Sequence, residues 1–469
     1  MGISSVLIGA LSKMSIRSPT EIQAACVPPL LQGEDCIGNA KTGSGKTIAF
    51  ALPILQKLSL DPYGIFALVL TPTRELAFQI ADQFAVLGAS LNLRTAVVVG
   101  GMDMMAQALE LGQRPHVVVA TPGRIVDLLR SCSGEWDLSR VKFLVLDEAD
   151  RLLTESFAPE LSYLFEVLPK ERQTSLFTAT LTPAVERIAE APPKSGKQKA
   201  FIHRMSTTVE TVDTLKQHYI LVPSHVRESY LYYLLCNPPE SILHLRVAPP
   251  EPSKPSKHKP SKKSKSRKSS SSSDDAPPQP PPTIVFCTRP RTAAFLTALL
   301  QSLRIRTAAL HSRLPQRARL ASLALFRAGA VPVLVATDVG ARGLDVPAVA
   351  LVVNWDVPAG AEEYTHRVGR TARAGRGGVA VSFVTERDEE RVLAVEGRIG
   401  TKLEEMTLPE SKVLEHLNAV STAKRLANME LHDSDFGRRE EVHRLKNARR
   451  AADLGLERGP STEYASAVL

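Results

Sequence analysis

Short runs of Val, Leu, Ile and Phe recur along this chain, each followed by a turn and a helical stretch. That rhythm limits the fold more than any other feature. In the first part the runs lie at 35–38, 66–70, 95–99, 117–120, 143–146 and 175–177, with helical material such as 47–58 and 75–87 between them. They are nearly continuous rather than alternating, which predicts strands buried on both faces of a parallel sheet. An α/β, doubly wound domain follows, and such domains gather ligands at the carboxyl ends of their strands. The rhythm breaks near Ala191-Pro-Pro-Lys-Ser-Gly-Lys, and the polar stretch 206–213 reads as a linker. It restarts at 218–222, 283–287, 307–310, 331–336, 351–353 and 379–384, so a second α/β domain is expected. The domain plan is therefore 1–205, linker 206–213, 214–405, and a helical, basic tail over 406–469.

The turns at the strand ends carry chemistry. Ala40-Lys-Thr-Gly-Ser-Gly-Lys-Thr47 follows the first run and precedes a helix. Ala40 stands where the phosphate-loop pattern has its first glycine. Thr42, Gly43, Ser44 and Gly45 permit a tight turn whose N–H groups face a phosphate at the helix N-terminus. Lys46 would reach the β- and γ-phosphates, and Thr47 would bind Mg²⁺. Asp147-Glu-Ala-Asp150 ends the run 143–146. There Asp147 is placed to hold Mg²⁺, and Glu148 to orient or deprotonate a water. An isolated Asp-Glu pair would read as solvated carboxylates, but the upstream loop makes nucleoside triphosphate hydrolysis the leading reading. In the second part, His366-Arg-Val-Gly-Arg-Thr-Ala-Arg373 would put His366, Arg370 and Arg373 on one helix face, as groups at i, i+4 and i+7. A γ-phosphate would draw Arg370 and Arg373 as fingers, whereas a solvated basic helix stays about as good a reading of the motif alone.

Composition narrows the class. The 469 residues are 43% apolar and 23% charged, enough for a core and ordinary for a water-soluble chain. No run approaches the ~18 apolar residues of a membrane helix, so no membrane partner is expected. The stretch 6–11 is too short for a secretory core, and Val6 stands where a myristoylation pattern wants Ser or Thr. Five cysteines, Cys26, Cys36, Cys132, Cys236 and Cys287, show no Cys-x-x-Cys spacing. They read as small buried residues of a reduced compartment, with no zinc site. The net charge of +9 is concentrated, since residues 254–268 hold eight Lys or Arg and no acid, leaving the remainder near +1. That block lies in 238–282, rich in Pro, Ser and Lys, which reads as a disordered insertion.

These motifs resemble, in family order over residues 1 to about 400, those of a DEAD-box RNA helicase. The resemblance implies two tandem RecA-like doubly wound parallel-sheet domains with an interdomain cleft. Pro19-Thr-Glu-Ile-Gln23 is similar to the family's Q motif, implying that Gln23 pairs with the adenine edge of ATP. Thr71-Pro-Thr-Arg-Glu-Leu-Ala77, Gly100-Gly101 and Thr121-Pro-Gly-Arg124 match its RNA-backbone motifs, implying RNA contacts by Pro72, Thr73, Arg74, Gly101, Thr121, Pro122, Gly123 and Arg124. On its own, Thr121–Arg124 also reads as a plain type II turn. Thr178-Ala-Thr180 matches the motif that couples hydrolysis to strand separation, with Asp150, Thr178 and Thr180 as coupling residues. In the second domain, Ile284-Val-Phe-Cys-Thr288, Gln316-x-x-Arg319 and Ala336-Thr-Asp-Val-Gly-Ala-Arg-Gly-Leu-Asp345 match further motifs. They imply RNA contacts by Arg319 and Thr337 and a ribose contact by Asp345. Thr178 stands where serine is commoner, and Gly340 where alanine is usual. The aromatic that the family places before the Q motif would fall ahead of Met1, which implies weaker adenine stacking or a chain that starts further upstream.

The resemblance implies an RNA-stimulated ATPase using ATP and Mg²⁺. Duplex unwinding or ribonucleoprotein remodelling leads, and an ATP-gated RNA clamp remains the alternative. The resemblance of the Q motif and of the Asp-Glu-Ala-Asp wording favours RNA and weighs against a DNA translocase. The wording Asp61-Pro-Tyr-Gly-Ile-Phe-Ala-Leu-Val-Leu-Thr71 and Gly100-Gly-Met-Asp-Met104 resembles the nucleolar subgroup that acts in small-subunit ribosome biogenesis. Pre-ribosomal RNA, a protein activator and a nuclear, nucleolar address follow as expectations. Lys262-Lys-Ser-Lys-Ser-Arg-Lys268 fits a nuclear signal, a loose RNA tether or a solvated linker. The tail segment 438–450, with six basic and two acidic residues, reads as an extension of the RNA path or as a solvated helix.

Overall fold

The computed structural model describes residues 2–41, 43–61, 64–131, 136–190, 199–204, 215–246, 277–338, 349–371, 377–434 and 436. The chain divides into two compact units, essentially the residues before about 210 and those after. Of the expected linker and tail, 206–213 and most of 434–469 lie outside the described residues, as does 247–276 of the insertion.

The first unit is a seven-stranded parallel sheet. Its strands are β1 (Cys36–Asn39), β2 (Ala67–Leu70), β3 (Thr95–Val98), β4 (Val117–Ala120), β5 (Phe143–Asp147), β6 (Gln173–Thr178) and β7 (Phe201–His203), in the order β3-β4-β2-β5-β6-β1-β7. The continuous apolar runs have the expected cause. Ala67 and Val69 enter one core while Leu68 and Leu70 enter the other, so both faces of β2 are covered. One face packs on α2 (Glu21–Gln32), α3 (Lys46–Leu58) and α4 (Arg74–Gly88). The other takes α6 (Pro122–Ser131), α8 (Ala158–Val167) and α9 (Pro183–Glu190). The helices α1 (Ser5–Lys13), α5 (Met104–Gly112) and the single turn α7 (Ala149–Leu152) complete the unit.

The second unit repeats this plan. Its strands β8 (Leu215–Leu221), β9 (Thr283–Cys287), β10 (Thr307–Leu310), β11 (Val333–Thr337), β12 (Leu351–Asn354), β13 (Gly378–Val384) and β14 (Glu404–Glu405) lie in the order β10-β11-β9-β12-β13-β8-β14, again all parallel. The helices are α10 (Arg227–Cys236), α11 (Glu240–Leu243), α12 (Pro290–Ser302), α13 (Gln316–Arg327), α14 (Ala361–Val368), α15 (Glu389–Ile399), α16 (Glu410–Glu415) and α17 (Leu417–Asp433).

Two expectations need correction here. The segment from 406 is not simply a tail, because Val420, Ala423 and Ala427 of α17 form a buried stripe in the second core, where α17 lies on α12. The insertion is narrower than 238–282. Ile242 of α11 is buried, and Gln279 accepts from the Arg306 N–H and donates to the Arg304 carbonyl.

Candidate functional site

The sheet order of the first unit divides its loops into two groups. The loops after β5, β6 and β1 lie side by side, and those after β2, β4 and β3 form the other half of the same edge. Pairing puts Asp147 level with Phe177, and Asn39 level with Thr178, so the chemistry-bearing ends share one height.

In the first group, Gly43 and Gly45 take left-handed φ values of +80° and +89°, which turn the loop into α3. A Cβ on Gly45 would also come within 2.3 Å of the Gln23 side-chain nitrogen. Gln23 is buried, and its Nε2 donates to the Gly45 carbonyl at 3.1 Å while its Oε1 accepts from the Thr20 N–H at 3.1 Å. The Q-motif glutamine thus braces the phosphate loop. One amide N–H and an oxygen lone pair are left for a base edge. Lys46 folds back to donate to the Ala40 carbonyl at 2.8 Å. The Ser44 hydroxyl is buried without a hydrogen-bond partner among the described residues. An orphaned hydroxyl in a glycine turn beside a buried lysine fits a bound phosphate. Thr47, half-buried in the first turn of α3, offers an oxygen ligand to Mg²⁺, a hard cation.

Asp147 is buried at the end of β5 and accepts from the Glu148 N–H at 3.1 Å. Burial pushes its carboxyl up to about 7 even though Lys46 lowers it, and Glu148 and Asp150 raise it further. Such a carboxylate suits a cation partner, so the donor set fits Mg²⁺. Glu148 holds φ +53°, a left-handed conformation uncommon for a non-glycine residue and typical of strained functional positions. The residues expected to couple hydrolysis to strand separation are joined directly. Thr180 Oγ1 donates to Asp150 Oδ2 at 2.6 Å, Thr178 Oγ1 donates to the Thr180 carbonyl at 2.7 Å, and the Ala40 N–H donates to the Thr178 carbonyl at 3.1 Å. A continuous path therefore runs from the acidic cluster through β6 to the phosphate loop.

The second group brings together the residues expected to touch RNA. Pro72 and Thr73 follow β2, Thr73 caps α4, and Arg74 begins it. The Arg74 guanidinium lies so close over Gly100 that a Cβ there would meet it at 3.0 Å. Gly101 turns with φ +80°. Arg124 donates to the Met102 carbonyl at 3.1 Å, tying the loop after β4 to that after β3. Thr121 and Pro122 do not make an isolated turn, because Pro122 opens α6, as its fixed φ allows. Gly123 has open space where a Cβ would stand, the room a nucleic-acid backbone needs to approach.

In the second unit, Thr337 ends β11 with its hydroxyl buried and without a hydrogen-bond partner among the described residues. Gln316 and Arg319 are buried on the first turn of α13. The helical-face arrangement of His366, Arg370 and Arg373 needs correction. Helix α14 stops at Val368, Gly369 caps it, and Thr371 forms a bridge with Val349, donating its hydroxyl to that carbonyl at 2.6 Å. His366 is therefore helical, and the buried Arg370 sits in the turn beyond. Thr42, Asp345 and Arg373 lie outside the described residues.

Sequence reasoning passed over Arg367. It is 1% exposed, with Nε and Nη2 donating to Asp338 at 2.5 and 2.7 Å and Nη1 to Asn354 Oδ1 and the Asp356 carbonyl at 3.3 and 2.6 Å. This fork binds the end of β11, next to Thr337, to the helix preceding Arg370. A charged residue between two motif positions gives no sign in sequence that it is buried.

Comparison with known proteins places this geometry. A family model described as DEAD/DEAH box helicase matches residues 20–188, and one for the helicase conserved C-terminal domain matches 278–375. The chain is 50% identical to the ATP-dependent RNA helicase DBP8 of Mycosarcoma maydis, over 96% of this chain and 90% of that one. It is 48% identical to that of Schizosaccharomyces pombe, over 95% and 91%. Among solved structures it is similar to S. cerevisiae Dbp5 bound to RNA and ADP BeF3, with a TM-score of 0.70, 27% identity and coverage of 90% of this chain and 98% of the other. It is also similar to the DEAD-box helicase Mss116 bound to single-stranded RNA and UDP-BeF, with a TM-score of 0.72, 27% identity and coverage of 88% and 80%.

Proposed function

Because the chain belongs to the DEAD-box family of ATP-dependent RNA helicases, we propose that it couples ATP hydrolysis to local unwinding of RNA duplexes or remodelling of ribonucleoprotein. We further propose ribosomal RNA processing and small-subunit biogenesis, in the nucleolus, as the setting, with pre-ribosomal RNA as substrate and a protein activator as helper. The DBP8 relatives and the wording at 61–71 and 100–104 support that placement. One observation carries the coupling. A single sheet edge holds phosphate-binding loops after β5, β6 and β1 and RNA-binding loops after β2, β4 and β3.

Lys46, which donates to the Ala40 carbonyl, exchanges that acceptor for phosphate oxygens when ATP binds. Gln23 reads the adenine edge while bracing Gly45. Thr47 and Asp147 would hold Mg²⁺, which when bound neutralises charge on the phosphates. Glu148 orients the attacking water and takes its proton. Arg370 and Arg373 stabilise the γ-phosphate only when RNA and ATP are both bound, making hydrolysis conditional. Arg74, Arg124, Arg319 and Thr337 hold RNA through phosphates and 2′-hydroxyls, with little reading of sequence.

The test is ATP turnover with and without single-stranded RNA, beside strand separation on a short duplex. Stimulation of turnover with separation is expected. Equal turnover in both conditions would sink the coupling, and stimulation with stable RNA retention but no separation would identify a clamp. Glu148→Gln is expected to lower turnover at least 100-fold and to retain RNA in the presence of ATP.

A further inference from the structure

Phe436, just beyond α17, packs its ring back on the second unit. The helix closes with the Phe436 N–H donating to the Leu431 carbonyl at 3.4 Å. This six-to-one bond reverses the chain and favours an apolar residue at that position. The stripe Val420, Ala423 and Ala427 fixes where the helix end lies. Phe436 meets His311 edge-on with ring centroids 5.7 Å apart, and the Arg313 guanidinium lies over the same ring at 5.2 Å. Such aromatic and cation–π contacts each contribute on the order of 1 kcal/mol.

His311 and Arg313 belong to the stretch between β10 and α13 that delivers Gln316 and Arg319. His311 is 1% exposed, and its Nδ1 has no hydrogen-bond partner among the described residues. Burial, with Arg319 and Arg313 close by, pushes the imidazole down to about 4, so it packs here as a neutral ring. Among the described residues no backbone ladder holds 311–315, which lie between strand and helix. Among the described residues, their aromatic contact comes from Phe436, far along the chain.

We propose that Phe436 is a positioning residue for single-stranded RNA: its ring seats the 311–315 loop, which sets Arg319 at the start of α13. This rests on reading Arg319 as an RNA contact. A loop ordered before RNA arrives does not have to be ordered by it, and that difference appears in RNA affinity rather than in the chemical step.

The experiment follows RNA-stimulated ATP turnover of the full chain against the concentration of a single-stranded oligonucleotide. Phe436→Ala is expected to raise the half-saturating RNA concentration about fivefold, the size of ordering one side chain, with turnover at saturating RNA and nucleotide affinity unchanged. Phe436→Trp restores the wild-type value. Combined with Arg319→Ala, the Phe436→Ala change adds no further loss, because both act through one contact. An unchanged half-saturation in Phe436→Ala, losses that multiply in the double variant, or equal loss of turnover and affinity with early melting would each overturn the proposal. If Arg319→Ala alone leaves RNA affinity intact, the RNA-contact reading fails separately and takes this proposal with it.

Discussion

Gly45 meets two independent demands, and they can be separated. Its φ of +89° disfavours any L side chain, by about 1–2 kcal/mol, and a Cβ there would also press on Gln23. Gly45→Ala is expected to weaken binding of a fluorescent ATP analogue at least tenfold. Gln23→Ala removes the clash but also the proposed adenine contact, so the comparison belongs in that background: there Gly45→Ala should cost less than in the parent chain, yet still weaken binding through backbone strain. No remaining cost in the Gln23→Ala background would show that the side-chain clash alone mattered. His311 gives a residue-scale prediction in pH. Its folded value, lowered to about 4 by burial beside Arg319 and Arg313, lies below the ordinary 6.5 of the unfolded chain. The unfolded state therefore binds more protons between those values, and stability falls as pH drops through that window. The loss reaches about 2 kcal/mol by pH 5. In His311→Gln the melting temperature should depend less steeply on pH between 7 and 5, and an unchanged slope would place the ring in contact with water.

At the scale of elements, strands such as β2 (Ala67-Leu-Val-Leu70) and β4 (Val117-Val-Val-Ala120) were legible because both faces of the sheet are covered, so their runs are apolar throughout. The edge strands β3 and β10 were legible too, but β7 and β14 at the opposite edges were not. Phe201–His203 is short and half-buried, and Glu404–Glu405 is two exposed acids. Helix α17 read as polar because its buried stripe is mostly alanine, which periodicity registers weakly beside Lys and Glu. The loop residues of the site were legible at strand ends, since turns there need glycine and hydroxyl residues. Side-chain pairing, as in Arg367 with Asp338 or Gln23 with Gly45, depends on which strands become neighbours, and chain order does not state that. Two outcomes belong to this scale. Ala427 is fully buried, so Ala427→Asp places an uncompensated charge between α17 and α12 and should lower the melting temperature by roughly 5 °C or more. Arg124 belongs to the half of the sheet edge remote from β1, so Arg124→Ala should raise half-saturating RNA several-fold while leaving ATP affinity unchanged. A matching loss of ATP affinity would contradict that division of labour.

For the whole molecule, the charge distribution matters more than the total. Eight cations of the +9 chain lie within 254–268, a segment placed by sequence between the first two strands of the second unit. Loop-closure entropy grows only slowly with length, so an insertion of this size can be carried without disturbing β8 and β9. Charges that engage RNA do so through counterion release, which adds about 0.7 to the slope of log affinity against log salt for each phosphate engaged on a single strand. If the segment tethers RNA with half its cations, deleting 254–268 should reduce that slope by roughly 3 and weaken binding at low salt. Turnover at saturating RNA should not change, because every residue assigned to ATP or to the RNA loops lies elsewhere. Equal slopes for the two proteins would leave the segment as a solvated linker or a localisation signal. A fluorescent fusion that stays nuclear after the deletion would then remove the signal. Salt therefore separates a tether from the catalytic core, since a tether would act through solvated charge and the core through buried groups that salt scarcely screens.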